Sequence, residues 1–130
     1  MEWTIVNYDS LMDNIKRIHF IGIGGSGMCP LAEILHHEGY ELSGSDMNEG
    51  ETLDRIKGYG IPVFMGHTAE NIKGAELVVY SAAIKETNPE RQAAKELGIP
   101  CIERSVMLGI VTRRSVSYTH LRAHETLSDL

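Results

Sequence analysis

The fold is decided by residues 18–28, Ile-His-Phe-Ile-Gly-Ile-Gly-Gly-Ser-Gly-Met. They place a GxGxxG pattern directly after an apolar run and at the start of a helix-like segment. In such a unit Gly22 permits a tight turn, Gly24 lets a phosphate approach the backbone, and Gly27 lets the helix pack closely on the strand. The free N–H groups of the loop and the positive end of the helix dipole then form an anion site that needs no basic side chain.

An acidic residue stands where such a unit would need one for a ribose. The second apolar run ends in Ser43-Gly44-Ser45-Asp46, and Asp46 lies 19 residues after Gly27. A carboxylate at that separation can accept hydrogen bonds from ribose hydroxyls. The two features together predict a nucleotide site. The alternative is that the glycines only form a tight turn and that Asp46 only belongs to a loop.

Short apolar runs recur along the whole chain, with helix-like stretches between them, the first of which is expected from about Gly25 to Glu38. Strands that alternate with helices of this length imply right-handed crossovers and a parallel sheet. We therefore predict an α/β fold, a Rossmann-like parallel sheet of about five strands with helices on both faces. The predicted strands are Arg17 to Ile23, Tyr40 to Ser43, Ile61 to Phe64, Leu77 to Ser81 and Ile99 to Ile102.

Polar residues predict where later helices begin. Asn48, followed three residues later by Glu51, is typical of a capping pair. Asn88 before Pro89 is a strong start signal, because proline at the first helical position lacks only a donor that would have no partner anyway. Ser105 is expected to cap a last helix. That helix contains Val106, Leu108 and Val111.

Composition and charge narrow the class of protein. The chain has 130 residues, which suits one domain, and 12 basic against 18 acidic residues leave a net charge of -6. That balance argues against a nucleic-acid surface. The apolar runs are too short to span a membrane, and Met1 to Lys16 lacks the pattern of a signal peptide. We expect a cytoplasmic protein in which Cys29 and Cys101 are buried thiols rather than a disulfide.

Several motifs in combination resemble the N-terminal domain of the Mur ligase family, and most of all its branch that adds L-alanine to UDP-N-acetylmuramate. The resemblance runs from about Lys16 to Arg114, so the family domain is taken as residues 1–114. It implies peptidoglycan synthesis in a bacterial cell, with roles in cell shape and cell division. The motifs are Gly22 to Met28, Ser43 to Asp46, Gly66-His67, Val78 to Ile84 and Asn88 to Glu90.

The resemblance also implies a binding site for UDP-N-acetylmuramate at the carboxyl edge of the sheet. The diphosphate would be lined by Gly22, Gly24, Gly25, Ser26, Gly27 and Met28, and the ribose would meet Asp46. The other implied site residues are His67, the loop Ser81, Ala82, Ala83 and Ile84, and Arg104. Simpler alternatives are a solvated His67, a Ser81 that only finishes a strand, and a surface ion pair of Arg104 with Glu103 or another acid.

The catalytic half of the family is missing from this sequence. Family members use ATP and magnesium, but no GxxxxGK[ST] pattern occurs in the 130 residues. We therefore expect no ATP, metal or catalytic residue in this fragment, and no amide-bond formation without the central and C-terminal ligase domains. Ser115 to Leu130 departs from the family completely and is interpreted as a foreign or out-of-frame tail, disordered and excluded from the fold.

Two other hypotheses remain open at this point. The first is the NAD(P)-binding domain of an oxidoreductase, in which Asp46 would bind the adenosine ribose. The second is the related ligase that attaches recycled murein tripeptide to the same UDP-sugar. Gly25, the segment from Ser81 to Ile84 and the Asn88 to Glu90 pattern favour a Mur ligase over the oxidoreductase.

Overall fold

The computed structural model describes residue 12 and residues 14–25 and 27–112. The predictions for Ser26 and for residues 115–130 lie outside this part. The elements in chain order are β1 Arg17–Ile21, α1 Met28–His37, β2 Glu41–Asp46, α2 Glu51–Gly58, β3 Val63–Met65, a 3-10 helix Ala69–Ile72, β4 Leu77–Tyr80, α3 Pro89–Leu97 and β5 Cys101–Glu103. Residues 104–112 are helical and are called α4.

The five strands form one parallel sheet in the order β3-β2-β1-β4-β5. In the register, Ile21 lies beside Ser45 of β2 and Tyr80 of β4. The chain builds outward from β1 in one direction and then returns to start β4 on its other side. The strand order therefore reverses between β1 and β4, where open parallel sheets bind their ligands. The predicted Rossmann-like α/β fold with about five strands is confirmed.

Alternating side chains of the strands pack against helices on both faces. Ile18 and Phe20 of β1 are buried in a core with α1, α2 and α4, whereas Ile21 packs on the opposite face with α3 and the 3-10 helix. Phe20 and Ile21 are fully buried. Burial on both faces explains why β1 is a nearly continuous apolar run. No helix among the described residues is long and apolar enough to cross a membrane.

The predicted helix cap at Asn88 is confirmed, whereas the one predicted at Asn48 is wrong. The side chain of Asn88 accepts the N–H of Glu90 at 2.8 Å and begins α3. Asn48 does not cap α2, which begins after Gly50. The backbone N–H of Asn48 instead donates to Asp46 Oδ1 at 3.1 Å, because the turn after β2 is organised by that carboxylate.

The last helix begins two residues earlier than predicted and buries a different face. Residue 104 is already helical, so Ser105 lies inside α4. Val106 and Leu108 are exposed, and of the three predicted apolar residues only Val111 is buried. Val111 shares the buried face with Met107 and Ile110, at the helical spacing that one face requires.

Both cysteines are free thiols, as predicted. Cys29 is buried in α1, whereas Cys101 of β5 is only partly buried. Burial raises the pKa of each thiol. Both thiols are therefore mainly protonated near neutral pH.

Candidate functional site

The glycine loop connects the end of β1 to α1 and is closed by backbone hydrogen bonds. Gly22 has a φ of 80°, in the left-handed region that favours glycine, which confirms the tight turn. The N–H groups of Gly22 and Ile23 both donate to the carbonyl of Ser45, at 2.8 and 3.1 Å. Gly25 donates to Gly22 and Met28 donates to Gly25, each at 3.0 Å. Several amides of the loop are therefore used within the chain.

Asp46 stands at the carboxyl end of β2 and binds the same loop. Its Oδ2 accepts the N–H of Gly24 at 2.9 Å. Its Oδ1 accepts the N–H groups of Met47 and Asn48 at 2.8 and 3.1 Å. The structure thus brings Asp46 and the glycine loop together, as the nucleotide hypothesis requires. Binding of a ribose by Asp46 stays a prediction.

Close packing accounts for Gly24, to which the pattern gave another role, and for Gly44, to which it gave none. A Cβ atom on Gly24 would lie 2.9 Å from both Leu53 Cδ2 and Asp46 Oδ2. A side chain at this position would therefore overlap with the protein itself, even without a bound phosphate. A Cβ atom on Gly44, which the sequence analysis did not single out, would lie 2.5 Å from Ile23 Cδ1. These glycines let β2 and α2 approach the loop closely.

Arg104, at the start of α4, reaches the other end of the glycine loop. A Cβ atom on Gly27 would lie 3.1 Å from Arg104 Nη1, and Gly27 itself has a φ of 100°. Gly27 is thus required for its backbone conformation and for the approach of Arg104, whereas the pattern predicted close contact with the strand. The ion pair with Glu103 is not formed in the described part of the chain. Arg104 places a cation beside the loop.

The segment after β4 completes this edge of the sheet. Ser81 Oγ and Ile84 Cδ1 each lie 3.4 Å from the position that a Cβ atom would take on Gly22. Arg91 of α3 donates from Nη1 to the carbonyl of Ile84 at 3.0 Å and stacks over the Tyr80 ring at 3.8 Å. Ser81 and Ile84 therefore lie at the point where the strand order reverses.

The remaining predicted residues are placed less directly. Ala82 and Ala83 are exposed in the turn between Ser81 and Ile84. The side chain of Met28 is buried in the core and does not line the loop surface.

Gly25 and Gly27 border a cleft of about 460 Å³ between the amino ends of α1 and α2. A larger cleft of about 530 Å³ lies along the amino ends of β1, β2 and β3, at the edge of the sheet away from the loop.

His67 follows β3 and is held from inside the protein rather than solvated. Its Nδ1 lies 2.9 Å from Ser45 Oγ and 3.0 Å from Glu90 Oε2, and only 12% of its side chain is exposed. The neighbouring Gly66 donates its N–H to the carbonyl of Asp46 at 2.8 Å. His67 therefore lies at the same edge of the sheet as Asp46.

Glu90 lies in the Asn88 to Glu90 motif, but no role at the site was predicted for it. It is fully buried, and its Oε1 accepts from His19 Nε2 at 2.5 Å and from Ser45 Oγ at 2.8 Å. Oε2 accepts from His67 Nδ1 and, at 3.2 Å, from Asn71 Nδ2. Glu90 is also the second residue of α3, where the positive end of the helix dipole favours a carboxylate.

The ionisation of Glu90 follows from these contacts. Burial raises the pKa of the Glu90 carboxyl, but the hydrogen bond and charge of His19 and the hydrogen bonds from Ser45 and Asn71 outweigh it, so the pKa is lowered below its usual 4.5. A hydrogen-bonded, ionised group is the stable form of a buried acid with so many donors. The signal in the sequence was His19, a polar residue in the middle of an apolar run.

Fold and site together define a Rossmann-like α/β domain whose glycine loop lies where the strand order reverses, between an acidic and a basic side chain. The chain belongs to the Mur ligase family. The model described as "Mur ligase family, catalytic domain" matches residues 17–115, more than half of the sequence.

Two curated relatives are similar over most of this chain. A UDP-N-acetylmuramate--L-alanine ligase of Legionella pneumophila (strain Corby) is 51% identical over 102 residues, which are 78% of this chain and 22% of that protein. A ligase of the same name from a Sulfurihydrogenibium species is 50% identical over 99 residues, 76% of this chain and 22% of that protein. The chain thus spans about a fifth of the length of the curated relatives that it matches.

Two solved structures have the same fold with recognisable sequence identity. The UDP-N-acetylmuramate-alanine ligase of Thermotoga maritima has a TM-score of 0.73 and 33% identity, covering 75% of this chain and 23% of that chain. The UDP-N-acetylmuramate:L-alanyl-gamma-D-glutamyl-meso-diaminopimelate ligase of Neisseria meningitides has a TM-score of 0.64 and 32% identity, covering 69% of this chain and 29% of that one.

Proposed function

We propose that this chain is the UDP-N-acetylmuramate-binding part of an ATP-dependent ligase that adds L-alanine to that sugar nucleotide in peptidoglycan synthesis. The observation that carries the proposal is that Asp46 and Arg104 meet the glycine loop from opposite ends. The family model matches residues 17–115, which include this arrangement, and both UDP-N-acetylmuramate--L-alanine ligases named above are similar to most of this chain. A cytoplasmic location belongs to the same proposal.

The arrangement suits a nucleotide diphosphate sugar in physical terms. The amino end of α1 and the Arg104 guanidinium would attract the diphosphate, because both carry positive charge at one edge of the sheet. Asp46 would accept from the ribose hydroxyls with the lone pairs that its three backbone contacts leave available. The function of this part of the ligase is to bind and orient the sugar nucleotide, and amide formation is left to other domains.

We also propose that this part of the ligase does not itself bind ATP or magnesium. No GxxxxGK[ST] loop occurs in the sequence. Among the described residues, no group of three or more His, Cys, Asp and Glu side chains could hold a metal ion. We therefore assign no ATP or magnesium chemistry to this fragment and propose that the central and C-terminal ligase domains supply it.

The recycling ligase is the second candidate, supported by the likeness to the Neisseria structure. The Neisseria enzyme is also named for UDP-N-acetylmuramate, so the proposed ligand is the same for both branches. The identity of about one half to the L-alanine ligases favours the first branch. None of these four relatives favours the oxidoreductase hypothesis.

A thermal-shift comparison tests the proposed ligand. A compound that binds only the folded chain raises its unfolding free energy by RT ln(1 + [L]/Kd), about 2.7 kcal/mol at a hundredfold excess over Kd. We expect UDP-N-acetylmuramate to raise the melting temperature, and NADH and ATP to leave it unchanged. A shift with NADH alone would favour the oxidoreductase instead.

A further inference from the structure

Glu90 can influence a ligand only through a neighbour, because its own side chain is fully buried. Of the residues that donate to it, His19 and Ser45 are fully buried as well. Asn71 is half-buried, but its amide nitrogen donates to Glu90 and to the carbonyl of Gly66, so it leaves no hydrogen for a ligand. His67 is partly exposed and follows β3 directly at the carboxyl edge of the sheet, beside Asp46. His67 is therefore the residue through which the buried carboxylate can act on the nucleotide site.

The contacts of Glu90 determine which ring nitrogen of His67 carries hydrogen. An ionised carboxylate can only accept, so His67 Nδ1, 3.0 Å from Glu90 Oε2, has to be the donor. Ser45 does not oppose this assignment, because its hydroxyl donates to Glu90 Oε1 and its oxygen can accept from the same Nδ1–H. In a neutral imidazole with hydrogen on Nδ1, the Nε2 atom keeps a lone pair and is an acceptor.

We propose that Glu90 is a positioning residue, which holds His67 in the tautomer whose Nε2 accepts a hydrogen bond from an N–H group of the nucleotide base. The inference rests on the proposed function and adds the specificity of the base site to it. A uracil ring in a nucleotide carries one N–H donor, at N3, so this group is the partner that the acceptor nitrogen of His67 would recognise. A site that leaves such an acceptor without its donor binds more weakly.

The tautomer can be measured in the unmodified chain without a ligand. Nitrogen-15 chemical shifts of the His67 ring distinguish hydrogen on Nδ1 from hydrogen on Nε2. We expect hydrogen on Nδ1 at neutral pH. Hydrogen on Nε2, alone or together with hydrogen on Nδ1, would overturn the proposal, because Nε2 would then be a donor and could not accept from the base.

Two variants separate the roles of Glu90 and Ser45. Glu90→Met removes both carboxylate acceptors, and we expect the Nδ1–H form to lose its dominance. Ser45→Ala leaves Glu90 in place, and we expect the Nδ1–H form to persist; if Glu90→Met does not fold, this variant carries the test. Loss of the Nδ1–H form in Ser45→Ala would contradict the role of Glu90. Glu96→Gln, at an exposed acid of α3, is the matched control.

The ligand half of the proposal is tested with UDP and its N3-methyl derivative, which lacks the N–H donor. We expect the unmodified chain to bind UDP about tenfold more tightly than N3-methyl UDP, the effect of one lost hydrogen bond. In His67→Ala and Glu90→Met we expect the ratio of the affinities for UDP and N3-methyl UDP to fall towards one. In Glu96→Gln we expect this ratio to stay near ten. Equal affinities in the unmodified chain would overturn the base contact. If UDP does not bind at all, the proposed function fails, whereas the tautomer measurement still decides the role of Glu90.

Discussion

Asp46 Oδ2 accepts the backbone N–H of Gly24 at 2.9 Å, and this bond joins the end of β2 to the loop that follows β1. The other oxygen of the same carboxylate accepts from Met47 and Asn48. Asp46 therefore organises both loops that border the candidate nucleotide site. Its side chain has a structural role there in addition to the proposed contact with a ribose.

Replacing Asp46 tests both roles. We expect Asp46→Ala to weaken UDP-N-acetylmuramate binding by about 1–3 kcal/mol, because a charged hydrogen bond is lost and the loop is released. Titration calorimetry gives the affinity, and urea unfolding gives the change in stability. Glu49→Ala, at an exposed acid of the same turn, should leave both unchanged. An Asp46→Ala variant with full affinity would remove Asp46 from the site.

A side chain at Gly24 should disturb the packing as well as ligand binding. The added Cβ atom would lie 2.9 Å from Leu53 Cδ2, so we expect Gly24→Ala to cost about 1–3 kcal/mol of stability and Gly24→Val to abolish binding. Chemical denaturation measures the cost. A Leu53→Ala change in the Gly24→Ala background should relieve part of the overlap. Gly58→Ala, where a Cβ atom meets nothing within 4 Å, is the control.

Arg104 should contribute to affinity through its charge. We expect Arg104→Met to weaken binding of UDP-N-acetylmuramate by about 1.5–3 kcal/mol, the range for hydrogen bonds to charged groups. Affinity of the unmodified chain should fall only shallowly with salt, because one arginine and backbone dipoles supply most of the attraction. Titrations at several salt concentrations measure both effects. Lys73→Met, at the opposite edge of the sheet, should change neither, and an unaltered affinity in Arg104→Met would place the phosphates elsewhere.

Glu90 should make the stability of the domain depend on pH in the acidic range. Its pKa in the folded chain is lowered below the usual 4.5, so the unfolded chain binds its proton first as the pH falls. The stabilisation is present above about pH 4.5 and is lost as the pH drops towards the folded pKa. Among the described residues, Glu33 and Glu76 also have lowered pKa values, so their contributions add to that of Glu90 in the unmodified chain.

The contribution of Glu90 is isolated by comparison with Glu90→Gln. We expect the free energy of unfolding of this variant to decline less between pH 7 and pH 3 than that of the unmodified chain, as measured by urea denaturation at each pH. The variant Glu96→Gln should retain the full decline. Parallel curves for Glu90→Gln and the unmodified chain would show that Glu90 is not an ionised partner of His19.

Local patterns were sufficient to predict the alternation of strands and helices in this chain. The apolar run through Phe20 and Ile21 needs burial on both faces, and only a covered parallel strand provides that. The cap at Asn88 was predictable because a capping side chain bonds to its own helix. The cap at Asn48 was wrong: its backbone N–H donates to Asp46, and α2 begins only after Gly50.

The parts of the site that could not be predicted depend on contacts distant in sequence. His19 and Glu90 are 71 residues apart in the sequence, and they come into contact only when α3 packs on the sheet next to β1. The clash that keeps residue 24 a glycine comes from Leu53 of α2, whose position no local pattern specifies. In the sequence, Glu90 therefore could not be distinguished from an ordinary acid in the first turn of a helix.

Titration calorimetry of the 130-residue chain with UDP-N-acetylmuramate, and separately with NADH, tests the central claim most directly. We expect saturable heat with the UDP-sugar, weakened by Asp46→Ala and unchanged by Glu49→Ala, and no heat with NADH. Saturable heat with NADH and none with UDP-N-acetylmuramate would contradict the assignment of this domain to the sugar nucleotide of a Mur ligase.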